Sequence, residues 1–283
     1  MSKIAIVTDS SAYLPKDFVE RHNIRVVPLS IHWDDKTYMD GIDITPVEFY
    51  ERLGKSSTIP STSQPSAGDF LQIFKELAPH CDGIIVLLIS SGISGTVASA
   101  KTAASTFSEI PVEIIDTHST SAGLGLVVTA VAQAVSDGKN LKVIKQLADG
   151  IVNRLKVFFV VDTLKYLHKG GRIGGASRYF GTVLNIKPIL YFDDQGKIDA
   201  LEKVRTKRKA IEKLIQLAVE QAGEKPVSVG VMHAKALKEA MILRDQLLQQ
   251  LDCEQIEIYD ISPVIGTHVG PGSIGLAIYT LEE

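Results

Sequence analysis

The sequence predicts an α/β fold: two intimately packed α/β domains with largely parallel sheets. Three observations lead there. Apolar runs rich in β-branched residues alternate with helix-period segments along the chain. One run, GIIVLLIS (83–90), is apolar throughout, as expected for a strand covered on both faces. The alternation restarts near residue 155 with no Gly/Pro/Ser linker, which predicts domains at 1–155 and 156–283 that pack tightly.

In chain order, KIAIVTD (3–9) reads as the first strand. RVVPLSIHW (25–33) is the second, and Pro28 suits an edge or a bulge because it cannot donate to a ladder. GIIVLLIS and VEIID (112–116) follow as strands. Between them PKDFVERH, TPVEFYERLGK and SAGDFLQIFKELAPH have helical spacing. Thr45-Pro46 with Glu48, and Ser66 with Asp69, are start signals in which a hydroxyl and a carboxylate three residues on satisfy free N–H groups. AGLGLVVTAVAQAV (122–135) is too short to span a bilayer and reads as a helix buried in the protein. In the second half, strands are expected at 156–162, 187–193, 197–205, 227–234, 254–262 and 273–281. Helices are expected at 206–223, closed by Gly223, and at 235–250.

Composition excludes several classes. Of 283 residues, 45% are hydrophobic and 22% charged, the balance of an ordinary globular protein. A net charge of −3 offers no general attraction to nucleic acid or an anionic membrane. Cys81 and Cys253 form no ligand spacing, so buried thiols in a reducing compartment are expected. The first fifteen residues lack the long apolar stretch of a secretion signal, which makes the cytoplasm the expected location. The seven histidines show no HxxxH or HExxH pairing, and no metal or cofactor is expected.

Candidate binding residues cluster where strands end. STIPSTSQPS (57–66) places six hydroxyls, those of Ser57, Thr58, Ser61, Thr62, Ser63 and Ser66, in ten residues without a cation. It is either a polar loop or a neutral cradle for a small polar head group. In LLISSGISGTVASAK (87–101) a strand ends in a Ser/Gly turn and a helix begins near Gly95, where free N–H groups and the Ser94 hydroxyl favour an anion; Ser94 as a helix cap is the structural alternative. Gly92-Ile93-Ser94-Gly95 misses the G-x-S-x-G elbow of hydrolases by one residue. GTHVGPGSIG (266–275) puts His268 in a glycine-rich loop before the last strand, either donating to an oxyanion or exposed in a turn. LHKGGRIGG places Arg172 among paired glycines, where its planar fork can reach a carboxylate or phosphate. Arg205 belongs to a basic run, EKVRTKRKAIEK, which is either a solvated helix face or a docking patch. IDTHSTSAGLG (115–125) ends a strand in Asp116 and a row of hydroxyls.

Taken together, IVTDSSAYLP, TSQPSAGDF, SSGISGTVASA, IDTHSTSAGLG, LKYLHKGGRIG, PILYFDDQGKI and GTHVGPGSIG resemble, in order and spacing, the DegV family of bacterial fatty-acid-binding proteins across about residues 3–281. The resemblance implies one long-chain fatty acid buried between or beneath the two domains, with its carboxylate held by Thr62, Ser94 and His268 and supported by Ser63 and Arg172. It implies a carrier without catalysis of its own that presents the acid to a fatty acid kinase for acyl phosphate formation, with Arg205 near the docking surface. The helix at 122–135 and the apolar strand ends are the expected tunnel wall. Two other readings stay open: a serine-type esterase using Ser94 and His268, and a carrier of another anion such as a sugar phosphate.

Overall fold

A computed structural model describes residues 3–181 and 186–281. The first half runs β1 (Ile4–Asp9), α1 (Lys16–Arg21), β2 (Arg25–Val27), β3 (Ser30–Trp33), β4 (Lys36–Met39), α2 (Pro46–Leu53), β5 (Ser61–Ser63), α3 (Ala67–Leu77), β6 (Gly83–Leu88), α4 (Thr96–Ser105), β7 (Val112–Asp116), α5 (Ala122–Ser136) and α6 (Leu141–Arg154). The second runs β8 (Lys156–Val160), α7 (Lys165–Lys169), β9 (Lys187–Phe192), β10 (Ile198–Val204), α8 (Lys207–Ala222), β11 (Val227–His233), α9 (Leu237–Leu248), β12 (Cys253–Asp260), α10 (Pro263–Val269) and β13 (Ile274–Thr280).

The first sheet has the order β2-β1-β6-β7 and is parallel throughout. The second, β10-β9-β8-β13-β11-β12, is mixed: only β11 and β12 pair in parallel, and its other four pairs are antiparallel. The expectation of largely parallel sheets thus describes the first sheet and must be corrected for the second. The physical reason is local. β9 and β10 are joined by a tight turn at Asp193–Gly196 that permits only a hairpin, and β13 enters the sheet's centre between β8 and β11 against both. Pro28 divides the predicted strand 25–33 in two. Its first part is an edge of the parallel sheet, and its second joins a separate antiparallel sheet, β4-β3-β5.

The layers follow from period-two alternation. On β6, Ile84, Val86 and Leu88 face α3 and α4, where they pack with Phe70, Phe74 and Val97. Ile85 and Leu87 face the opposite way and share a core with Leu124, Val127 and Val131 of α5 and with Val157, Phe159 and Ala277 of the second sheet. The far side of that sheet, including Val229, Val231 and Leu276, is covered by Leu214, Ala218 and Leu243 of α8 and α9. α5 and α6 therefore form a middle layer between two sheets. This explains why α5 is apolar around nearly its whole circumference, since a helix that meets core on both sides has no solvent face. Both start signals noted in the sequence are complete capping boxes, Thr45 with Glu48 and Ser66 with Asp69. The two cysteines, expected to be buried, are half-buried and unpaired. No helix of the described residues is long and apolar enough to cross a membrane.

Leu124 is fully buried in this middle layer. Leu124→Ala should lower the unfolding free energy by roughly 2–5 kcal/mol in a denaturant titration. A loss under about 1 kcal/mol would mean that the helix does not bridge the two sheets.

Candidate ligand-binding site

A narrow cavity opens where the carboxyl ends of the first sheet approach the ends of β8, β9 and β11. Its empty space, including the part open to solvent, is about 740 Å³, of which the centre of a water-sized sphere can reach about 60 Å³, so the lining side chains close it down to a narrow slot. Strand-end residues Ile89, Phe159, Phe192 and Met232 form one wall, and Val264, Ile265 and Val269 of α10 form another. Thr62, Ser63, Gln64, Ser94, Arg172 and His268 supply polar groups to the same cavity. No side chain of α5 lines it: the helix expected as tunnel wall instead fills the core, and only Thr120 and Ser121 just before it reach the cavity.

Each polar residue arrives by a different route. Thr62 is the middle residue of β5, paired with Ile31 across the small antiparallel sheet. Strand alternation turns Thr62 and Ser63 to opposite faces. Thr62 Oγ1 lies 2.8 Å from His268 Nε2, whereas Ser63 Oγ lies 2.9 Å from His32 Nε2. The other hydroxyls of the 57–66 stretch divide similarly. Thr58 Oγ1 donates to Asp34 and accepts from the Trp33 indole, and Ser66 caps α3. A density of hydroxyls that looks like one cradle is mostly local scaffolding around Thr62.

Ser94 lies in the turn after β6, one residue before the Gly95 cap of α4. Its Oγ is 2.8 Å from Thr96 Oγ1 and accepts from the Thr96 backbone N–H at 3.4 Å. The amide end of the Gln64 side chain lies directly against Gly95, which brings the residue after β5 next to the Ser94 turn.

His268 does not lie in a loop. It occupies the last turn of α10, which starts at Ser262-Pro263, a cap followed by an N1 proline, and ends at Gly270 with φ 74°. The glycines of GTHVGPG thus terminate a helix. The ring is buried, and burial, assisted by the Arg172 charge, pulls its pKa down to about 4, so the imidazole is neutral at neutral pH. A Cβ on Gly170 would meet Nδ1, which places α7's C-terminal glycine directly against the ring. Nδ1 has no hydrogen-bond partner among the described residues.

Arg172 is half-buried. Its Nε donates to Ile93 O at 3.1 Å and its Nη1 to Gly170 O at 2.7 Å. Those bonds tie the Ser94 turn to the glycine beside His268 and use two of the guanidinium's five N–H donors. Arg205 is exposed in the bend between β10 and α8 and does not line the cavity.

Two buried acids set this geometry from behind. Asp9 ends β1; its Oδ2 accepts from Ile89 N at 2.7 Å, and its Oδ1 from the Ser11 hydroxyl at 2.6 Å. Asp40 Oδ1 accepts from Val264 N, at the start of α10, at 3.1 Å, and Oδ2 from Ser10 Oγ at 2.8 Å. Burial raises Asp9 to about 6 and Asp40 to about 7, against the opposing pull of these hydrogen bonds. Asp9 is the last residue of the first strand expected from the sequence; Asp40, which pairs with Ile44 just after β4, carries no comparable signal. Thr120 and Ser121 were within a quoted hydroxyl row, but nothing in their spacing distinguished them from Ser119.

Fold and cavity define an α/β protein with a narrow, mainly apolar slot and largely neutral hydrogen-bonding groups in its lining. A family model described as "Uncharacterised protein, DegV family" matches residues 3–281. A DegV domain-containing protein of Clostridium acetobutylicum is 37% identical over 280 residues, 99% of each chain. A solved DegV family protein from Thermus thermophilus, described as showing fatty acid binding, superposes with a TM-score of 0.94 at 34% identity, covering 99% of this chain and 100% of that one. DegV of Bacillus subtilis, described as a fatty acid binding protein, superposes with a TM-score of 0.90 at 33% identity, covering 99% and 100%. This chain belongs to the DegV family.

Asp40 supplies a test of the arrangement. A carboxyl raised on folding contributes stability that is complete below its unfolded value, near 3.8, and lost as pH rises through its folded value of about 7. The stability of the protein relative to Asp40→Asn, measured by urea unfolding, should therefore fall between about pH 4 and pH 7 and then level off. A difference that stays constant across that window would show that Asp40 titrates alike in the folded and unfolded chain.

Proposed function

We propose that this protein binds one long-chain fatty acid, with the carboxylate at the rim against Thr62, Ser94 and His268 and the chain in the apolar slot. The observation that carries this reading is that those three residues, from β5, the turn after β6 and α10, line one mainly apolar cavity, with Thr62 bonded to His268. A fatty acid has that division: one small acid terminus and a long chain without polar groups. The names given to the Thermus and Bacillus relatives point the same way.

The energetics place affinity in the tail. Burying ~15 methylenes at about 0.8 kcal/mol each gives on the order of 12 kcal/mol before association and ordering costs. Neutral donors then orient the head without the desolvation cost of a buried cation. His268, neutral by burial, serves as a hydrogen-bonding group rather than a counter-ion. Arg172, half-exposed beside it, is the nearest source of positive charge to the rim. Ser63 contributes through its place in β5 more than through its hydroxyl, which is engaged by His32.

On this reading the protein is a carrier without catalytic residues. A serine esterase would need Ser94 paired with His268 and the histidine oriented by a further group. Here Ser94 Oγ bonds Thr96, His268 Nε2 bonds Thr62, and His268 Nδ1 has no partner among the described residues. The carrier presents the exposed acid terminus to a separate fatty acid kinase, with Arg205 on the docking side.

Native mass spectrometry of the purified protein should show one bound fatty acid, identified after extraction. Thr62→Ala with Ser94→Ala should weaken its retention roughly 10- to 100-fold, the loss of one or two hydrogen bonds to a charged group. Full retention in the double variant would remove the head-group assignment. Arg205→Glu should leave fatty acid binding intact and slow phosphorylation of the bound acid by the kinase at least several-fold. Unchanged phosphorylation would remove Arg205 from the docking surface.

A further inference from the structure

The slot is not uniformly apolar inside. Thr120 and Ser121 line it, are 6% and 1% exposed, and have hydroxyl oxygens without a hydrogen-bond partner among the described residues. Two buried, unsatisfied hydroxyls on one wall are costly, and native interiors rarely leave such groups unpaired. They stand beside Ile89, Phe159, Met232 and Ile261, none of which can bond them.

The backbone reinforces the point. Ser121 precedes the fifteen-residue α5 at its N-terminus, where a serine normally turns its oxygen back onto the first free N–H groups. It makes no such bond, and it is held at φ 52°, ψ −130°, a conformation that L residues rarely adopt. The Ser121 N–H donates to Ser11 O at 3.1 Å, which fixes the segment against the end of β1. A helix start, two unpaired hydroxyls and a strained backbone thus coincide on the cavity wall, and the helix dipole there favours an electron-rich atom.

We propose that Thr120 and Ser121 form a second polar subsite within the slot, which takes an oxygen substituent, a hydroxyl or oxo group, carried part-way along the acyl chain. The subsite rests on the fatty-acid reading and extends it to the substrate class: oxygenated as well as plain acyl chains. A hydroxyl on the chain can donate to one side-chain oxygen and accept from the other, which satisfies all three groups. Elsewhere in the slot the same hydroxyl has only carbon around it and is disfavoured.

The test is displacement of a fluorescent acyl probe from lipid-free protein by hexadecanoic acid and by monohydroxyhexadecanoic acids substituted at successive carbons. One position, or two adjacent ones, should bind as tightly as hexadecanoic acid or more so, and the others at least ~10-fold more weakly. Thr120→Val, which removes the hydroxyl at similar size, should erase that preference, read as the ratio of hydroxy acid to hexadecanoic acid affinity within the same variant. Ser121→Gly provides a second variant that removes the hydroxyl and suits the positive φ. If every hydroxy acid is weakened equally in wild type and both variants, the two hydroxyls hold only water and the inference is overturned. If hexadecanoic acid itself does not displace the probe, the fatty-acid reading fails and takes this subsite with it.

Discussion

The rim of the cavity depends on two carboxylates that never reach it. Asp9 holds Ile89, from which the Ser94 turn departs, and Asp40 holds Val264, from which α10 carries His268 to its last turn. Ser10, next to Asp9 in the short helical turn after β1, donates to Asp40 and accepts from Leu29 N, so the same turn holds both acids. One end of one strand thus sets the relative position of a turn from the first sheet and a helix leading into the second. Burial disfavours the charge on both acids, yet each is surrounded by donors that satisfy it. Such a cluster fixes one geometry, because any displacement of turn or helix leaves a buried acid without its partner.

Fixing that geometry matters because the rim groups are weak singly. Thr62, Ser94 and a neutral His268 each offer a hydrogen bond of ordinary strength, which is useful only if all three point to one place. Gly170 serves the same end by letting the end of α7 approach the His268 ring where a Cβ would collide with it. Arg172 completes the frame: its bonds to Ile93 O and Gly170 O connect the Ser94 turn to the segment packed on His268.

Much of this was legible in the sequence. The parallel sheet announced itself in the wholly apolar run of β6, and both capping boxes were visible as spacings. What stayed hidden depended on tertiary contacts. β5 is three hydroxyl residues without an apolar alternation, so only its pairing with β3 makes it a strand. α6 begins with an Asn140 cap and an amphipathic stripe, a weaker signal in the sequence than the apolar run of its neighbour α5. Pairing direction in the second sheet is absent from strand periodicity, which is the same for parallel and antiparallel neighbours. His268 was placed in a loop because the glycines after it outweighed the Ser262-Pro263 start before it. Thr62 and Ser94 were singled out as residues, yet their proximity to His268 comes only from three chain segments brought together by folding.

The neutral rim also constrains where a head group can sit. A carboxylate held by hydroxyls and an uncharged imidazole keeps its own charge, and that charge becomes more costly the further it is drawn from water. On the proposed reading the chain gains by going deeper and the acid by staying near water, a compromise that would place the acid terminus beside half-exposed Arg172. In that position it can be reached from outside while the chain remains buried. An acid locked in a buried ion pair would bind with its reactive oxygens turned inward, out of a partner's reach. A neutral rim avoids that conflict, and this is the physical argument behind the proposal that the site offers its ligand to another protein.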